Sequence, residues 1–264
     1  MSRDFQIIQL QINEAALKAL PNRQRNQLVA CMHAHNELAV MNRLLMFSLN
    51  DVGNGELHDH AHGVQMWCVM QVLTGKLFET WNMIYERFLK SNPEDPAISA
   101  LSGAHKQSLA RLRAYFSPKD TALRIIRDKS AFHYDKQLNI DDAVAEVTED
   151  ERRVYLAQHP ANGLYYLGSS LVFRTVFAMI ADKAGDTSGM SQIKRMAKGV
   201  AIALADVQEV NVHLHGVLYG LISAALEKPE GAPLAETDQL RIPVVDAPLP
   251  TIVALPMFLD IEQS

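Results

Sequence analysis

The sequence predicts an all-α protein. Three observations carry that expectation: apolar residues recur at helical spacing over long stretches, glycine and proline pairs punctuate those stretches, and one continuous apolar run is too long for a strand. With 264 residues and 48% apolar side chains the chain can bury a substantial core. The expected organisation is one elaborated helical domain over residues 1–228, followed by an extended proline-rich tail over 229–264.

The chain opens on FQIIQLQI, which suits a short strand. Apolar residues at Leu28, Cys31, Met32, Leu38, Met41, Leu44 and Leu45 then recur at a spacing that suits a long helix. Gly53 to Gly55 breaks that helix, and a second is expected from about Val64 to Leu89, ending before Asn92-Pro93 and Asp95-Pro96. Pro96 opens a third, reaching about Phe116. Ser117-Pro118 reads as an N-cap with proline in the first turn, and Asp120 suits the positive end of a fourth helix running towards Tyr134. The acidic stretch 139–153 reads as a loop or short element. YYLGSSLVFRTVFAMIADKA predicts a buried helix from about Tyr165 to Ala184, and a last helix is expected from Ser191 to Leu226. Beyond it come six prolines (229, 233, 243, 248, 250, 256) interleaved with Val, Ile and Leu, which forbid a long helix and favour extended chain against the body or a partner.

A net charge of −5 argues against a protein that coats nucleic acid over its whole surface. The charge is uneven. Between His105 and Lys136 stand eight Lys or Arg (106, 111, 113, 119, 124, 127, 129, 136) against three Asp (120, 128, 135), whereas the rest of the chain carries 17 basic and 27 acidic residues. A basic face on an acidic body suits a confined anion site. Cys31 and Cys68 each sit in an apolar run and read as small buried hydrophobes of a reducing compartment, with no disulfide framework. The first residues lack the apolar stretch of a signal peptide and no run of about 18 apolar residues occurs, so a cytoplasmic location without membrane contact is expected.

The segment IRDKSAFHYD, residues 126–135, carries the sharpest chemical pattern. Arg127 and His133 lie six positions apart, about 9 Å of rise and about 120° of rotation on an α-helix, so they reach one cleft where the helix starts or bends. Such a pair suits phosphodiester chemistry without a metal. Histidine moves a proton near neutral pH, arginine holds the phosphate and the charge developing on it, and a 2′-hydroxyl would supply the nucleophile, which points to RNA.

An arginine, a polar residue and a short gap to histidine on the last core helix of a bundle resembles the signature of the HEPN superfamily (higher eukaryotes and prokaryotes nucleotide-binding). With GKLFETW at 75–81 and GLYYLGSSL at 163–171, the text is similar to a group of bacterial HEPN-like proteins over roughly residues 24–175. The resemblance implies a HEPN-like helical bundle with additional C-terminal helices, a homodimer that joins two Arg/His pairs in a composite site, and metal-independent endoribonuclease activity in toxin-antitoxin, antiviral defence or RNA-processing settings. It implies RNA or a nucleotide as ligand, an antitoxin or regulatory protein as partner, and no cofactor. By position, Arg127 would hold the scissile phosphate and His133 would act as general acid or base. Asp128 would take the polar position often held by Asn, and Lys129 and Tyr134 would support them. A carboxylate at 128 repels phosphate unless it orients Arg127. Some HEPN proteins are non-catalytic binding or partner modules, which is the alternative reading.

A competing set is histidine-rich: His33 and His35, then His58, Asp59, His60 and His62. Adjacent His58-Asp59 suggests an HD-type metal phosphohydrolase, also all-helical. The spacing disfavours it, since His33 and His35 project about 200° apart on a helix and HDHAH is expected in a glycine-flanked loop. His213 and His215 read as packing or interface residues, and Met32, Met41, Met46, Met66, Met70 and Met83 as adaptable core filling.

Overall fold

The computed structural model describes residues 3–50, 55–90, 95–131, 135, 138–227, 234–235 and 240–258. These form a helical bundle with one two-stranded sheet. In chain order the elements are β1 (Arg3–Gln9), α1 (Glu14–Ala19), α2 (Asn22–Ser48), α3 (Glu56–Ile84), α4 (Pro96–Ser99), α5 (Gly103–Phe116), α6 (Ala122–Ile126), α7 (Asp141–Ala145), α8 (Tyr166–Ala184), α9 (Gln192–Leu226) and β2 (Leu240–Ala247). Two π turns, Tyr85–Leu89 and Arg127–Ala131, continue α3 and α6. None of the helices among the described residues is long and apolar enough to cross a membrane.

The expected helices at 165–184 and 191–226 are present as α8 and α9. Three expectations are corrected. The helix expected to begin near Val64 begins at Glu56, because Glu56 and Asp59 suit the positive end of α3. His58 to His62 therefore lie on a helix and not in a loop. The helix expected from Pro96 to Phe116 is two: Asp95 caps α4, and Ser102, whose side chain accepts from the His105 amide, starts α5 afresh. The helix expected from Ser117-Pro118 starts only after Thr121, and α6 is five residues long before the backbone widens into a π turn.

The chain divides into two compact units. The first comprises residues 1–40, 79–117 and 210–253. Its core joins Leu28, Cys31 and Leu38 of α2 to Leu109, Leu112 and Phe116 of α5 and to Leu214, Leu218 and Leu221 of α9. Trp81 stacks flat on Phe116, ring centroids 5.1 Å apart. Part of the proline-rich tail forms β2, which pairs antiparallel with β1 from Arg3↔Ala247 to Gln9↔Leu240. The pairing is irregular between Arg3 and Phe5, opposite the stretch where Asp246 takes a left-handed conformation (φ 54°).

The second unit comprises residues 41–78, 118–209 and 254–264. Trp67, Met70, Leu73 and Leu77 of α3, Leu123 and Ile126 of α6, and Val176, Phe177 and Ile180 of α8 form its core. Trp67 meets Phe173 edge-on at 5.3 Å. α9 approaches α8 at Gly199, where an added Cβ would lie 1.8 Å from the Phe177 carbonyl oxygen.

Helix propensity alone makes alanine about 1 kcal/mol better than glycine inside α9. The contact with the Phe177 backbone reverses the sign. Gly199→Ala is expected to cost about 1–3 kcal/mol through overpacking, read as a lower urea midpoint. An unchanged or higher midpoint would show that the two backbones do not meet there.

Candidate functional site

The basic turn is built by a short helix that changes pitch. Ala122, Leu123, Ile125 and Ile126 are buried and anchor α6, and the Ser130 hydroxyl donates to the Ile126 carbonyl at 3.0 Å. That side chain to backbone bond accompanies the π turn over Arg127–Ala131, a widened geometry often found at functional sites. Gln71 of α3 donates to the Ser130 carbonyl at 3.0 Å, and the turn packs on α8.

Arg127 is held on two sides. Its Nη1 donates to Asp128 Oδ1 at 2.9 Å, and its guanidinium carbon stands 4.6 Å from the centroid of the buried Phe78 ring. Its side chain keeps 28% of its surface accessible. Arg124 shares the same ring at 5.4 Å, and its Nε is buried with no hydrogen-bond partner among the described residues. Asp128 thus engages the arginine it follows. Lys129 pairs with Asp135. His133 and Tyr134 lie outside the described residues.

The basic residues do not share one helix. Lys106, Arg111 and Arg113 sit on α5 in the first unit, whereas Lys119, Arg124, Arg127 and Lys129 belong to the second. Several are individually engaged: Lys106 donates to the Ser99 carbonyl at 2.8 Å, alongside the pairs of Arg127 and Lys129.

Two features escaped sequence reasoning. The first is Phe78, inside GKLFETW, which seats both arginines. The second is a buried charge network. Arg174, 2% exposed on α8, donates to Glu151 and, at 2.9 Å, to the Glu146 carbonyl. Glu151 also accepts from Ser170 at 3.1 Å and from the Thr148 amide and hydroxyl at 2.9 Å each. Burial pushes the Glu151 carboxyl up, but the Thr148 and Arg174 hydrogen bonds outweigh it and hold the group below its ordinary range. The signal was present in LVFRTVFAMI: an arginine inside an apolar run requires a carboxylate, and the acidic stretch before it supplies one.

Beside this network lies a cavity of about 150 Å³, lined by Gly63, Met66 and Trp67 of α3 and by Tyr166, Ser170 and Phe173 of α8, with Ser169, Glu151 and Met196 also on its wall. His60 stacks on Tyr166 at 3.7 Å with rings 9° from parallel, and its Nδ1 is 3.0 Å from the Tyr155 hydroxyl. The first unit has a cavity of about 270 Å³ against α2, α4 and α9, with Leu28, Phe88, Ala100 and Ala224 on its walls and the Arg23–Asp95 pair, 3.0 Å apart, at its polar end.

Other histidines have structural neighbours of their own. His33 faces Glu37 at 3.7 Å, His35 meets the His215 ring edge-on at 4.8 Å, His58 packs on Phe258, and His213 is 3.2 Å from the Ser108 hydroxyl. Among the described residues no three His, Cys, Asp or Glu side chains gather as metal ligands. Burial pushes the Cys31 thiol up to about 12, so it stays protonated and unreactive. Cys68 is exposed, unlike the buried position its sequence suggested.

No family model matches the sequence, no curated protein matches it, and no solved structure matches the fold.

Burial lowers both His35 and His215 below the ordinary 6.5, and for His215 the neighbouring His35 adds to the effect. The unfolded chain therefore takes up protons first, so stability present above about pH 6.5 is lost as pH falls through the lowered folded values. Urea unfolding between pH 7.5 and 5 is expected to show this loss, and replacing both residues by glutamine is expected to flatten it. An identical pH slope in the double variant would remove the pair as its source.

Proposed function

We propose that the chain is a HEPN-like RNA-binding protein that holds an RNA phosphate on Arg127 and cleaves the strand without a metal, using His133. The observation that carries this reading is the fixing of Arg127 by Asp128 and Phe78 on a π turn, with part of its side chain still accessible. An arginine held in one orientation loses little freedom when it meets a planar anion, and its fork matches two phosphate oxygens.

In the proposed reaction the 2′-oxygen bonds to phosphorus as the bond from phosphorus to the 5′-oxygen breaks. The products are a 2′,3′-cyclic phosphate and a 5′-hydroxyl. A proton leaves the 2′-hydroxyl and one reaches the 5′-oxygen, and His133 performs one of these transfers. The Arg127 guanidinium stabilises the charge that gathers on the non-bridging oxygens. A second copy of the chain would bring the complementary Arg/His pair, as in the dimers the motif resembles.

The non-catalytic module is the second reading, and the pairing of Arg127 with Asp128 favours it: a carboxylate 2.9 Å from the guanidinium offsets part of the charge that the transition state needs. Incubating labelled single-stranded RNA with the full-length protein and excess chelator separates the two. We expect cleavage in chelator, a drop of at least about 100-fold in His133→Ala, and weaker RNA binding in Arg127→Ala. Cleavage that survives His133→Ala would remove that residue's role, and RNA binding without cleavage would establish the module.

A further inference from the structure

We propose that the cavity of the first unit binds a small apolar molecule carrying one neutral carboxamide head, at a site that does not depend on Arg127. Every residue on its wall belongs to that one compact unit. Its volume of about 270 Å³ lies just under the usual range of small-molecule sites and leaves room for an alkyl chain or a small ring system. Leu28, Cys31, Phe88 and Leu221 are buried and give it an apolar floor, and beside them the methyl side chains of Ala224 and Ala225 on α9 leave the space unfilled.

The other end is polar and tightly organised. Asp95, 5% exposed, accepts from the Ala97 amide on Oδ1 at 3.0 Å and from Arg23 Nη2 on Oδ2 at 3.0 Å. Gln27, 6% exposed, donates from Nε2 to the Arg87 carbonyl at 2.9 Å and to Asp95 Oδ2 at 3.4 Å. Both of those partners can only accept, so the amide stands one way round. Its Oε1 is then an acceptor with no hydrogen-bond partner among the described residues, on a buried side chain that lines the cavity. An acceptor left without a donor in such a place favours a ligand N–H. Arg23 uses Nη2 for Asp95 and, at 3.3 Å, for the Arg87 carbonyl, which leaves Nη1 and Nε to donate.

These groups select the head of the ligand. Arg23 and Gln27 are four residues apart on α2 and both reach the same oxygen of Asp95, so the spare donor and the spare acceptor stand side by side. The charges on the wall cancel, since Arg23 pairs with Asp95 and burial keeps the Cys31 thiol protonated. A carboxylate would meet a second carboxylate and the Gln27 oxygen, and an ammonium would meet a guanidinium. Either ion would lose hydration without finding a net opposite charge. A carboxamide gives its N–H to Gln27 Oε1 and accepts from Arg23 on its carbonyl, while its apolar body lies on the floor.

The test is isothermal titration calorimetry of the full-length protein at neutral pH with octanamide, N,N-dimethyloctanamide, octanoate and octylammonium. Octanamide is expected to bind saturably, one molecule to each chain. The dimethyl compound keeps the carbonyl and lacks the N–H, and it and the two ions are expected to bind at least about tenfold more weakly. Ala224→Leu places a larger side chain in the cavity, and leucine is nearly as good a helix former as alanine. That variant, with its helical circular dichroism retained, is expected to lose octanamide binding. Four results would overturn the site: no saturable binding of octanamide, octanoate or octylammonium bound as tightly as octanamide, a dimethyl compound equal to it, or undiminished binding by the folded variant. The comparison among the four ligands decides the question even if Ala224→Leu fails to fold.

Discussion

The second unit is organised by one buried cation. Arg174 sits in the middle of an apolar helix face where water cannot reach it, and a lone charge there would cost several kcal/mol. Glu151 and the Glu146 carbonyl therefore have to come to it, which draws the acidic stretch 139–153 onto α8. The same stretch then serves α9, because the Glu146 carboxylate accepts the Gln192 amide at 3.1 Å from each oxygen, at the first residue of that helix. A single ion pair thus sets the position of α7, the start of α9 and one wall of the α8 cavity. Its removal on one side would leave the other charge stranded, so the network functions as a unit and not as a set of separable contacts.

Around that frame, positive charge is rationed. The charge excess of residues 105–136 suggested one basic face with a confined anion site, yet its members are divided between two units and several are engaged by nearby carboxylates or carbonyls. Long-range attraction of a polyanion is consequently modest for a chain of net charge −5. Under the proposed function, affinity would come from short-range geometry: an oriented guanidinium and the ring beneath it. Recognition of that kind depends less on salt than a phosphate-coating surface does.

The long helices were legible because their apolar spacing is insensitive to context: α8 and α9 fall within a residue or so of the limits read from Tyr165–Ala184 and Ser191–Leu226. The short elements were not. The break between α4 and α5 turns on the Ser102 cap, and the start of α6 on burial of Ala122 and Leu123, both tertiary outcomes that a proline pair misreports. Arg127, Asp128 and Lys129 were visible as a motif, but their partners were not, since Phe78 is nearly fifty residues away in sequence and nothing local ties it to them. The histidine set was disfavoured on its spacing, although HDHAH proves to lie on α3 and not in a loop. Residues close in sequence, such as His58, His60 and His62, point in different directions on α3 and end against Phe258, against Tyr166, and in a position where Nε2 is buried with no partner among the described residues.

The β1–β2 ribbon has a kinetic consequence. Gln9 pairs with Leu240, so the ribbon closes a loop that contains residues 10–239 and with them α1 to α9. Closing so long a loop carries a large entropic cost until the intervening chain has collapsed. A two-stranded sheet has little intrinsic stability with which to oppose that cost. The helices must therefore assemble first, and the ribbon zips last, with its large apolar side chains Phe5, Ile7, Ile8 and Val245 still about half exposed at the end. Strand pairing at residues 5–9 is then a marker that folding has finished, and the same segment is the first to open when the fold begins to loosen.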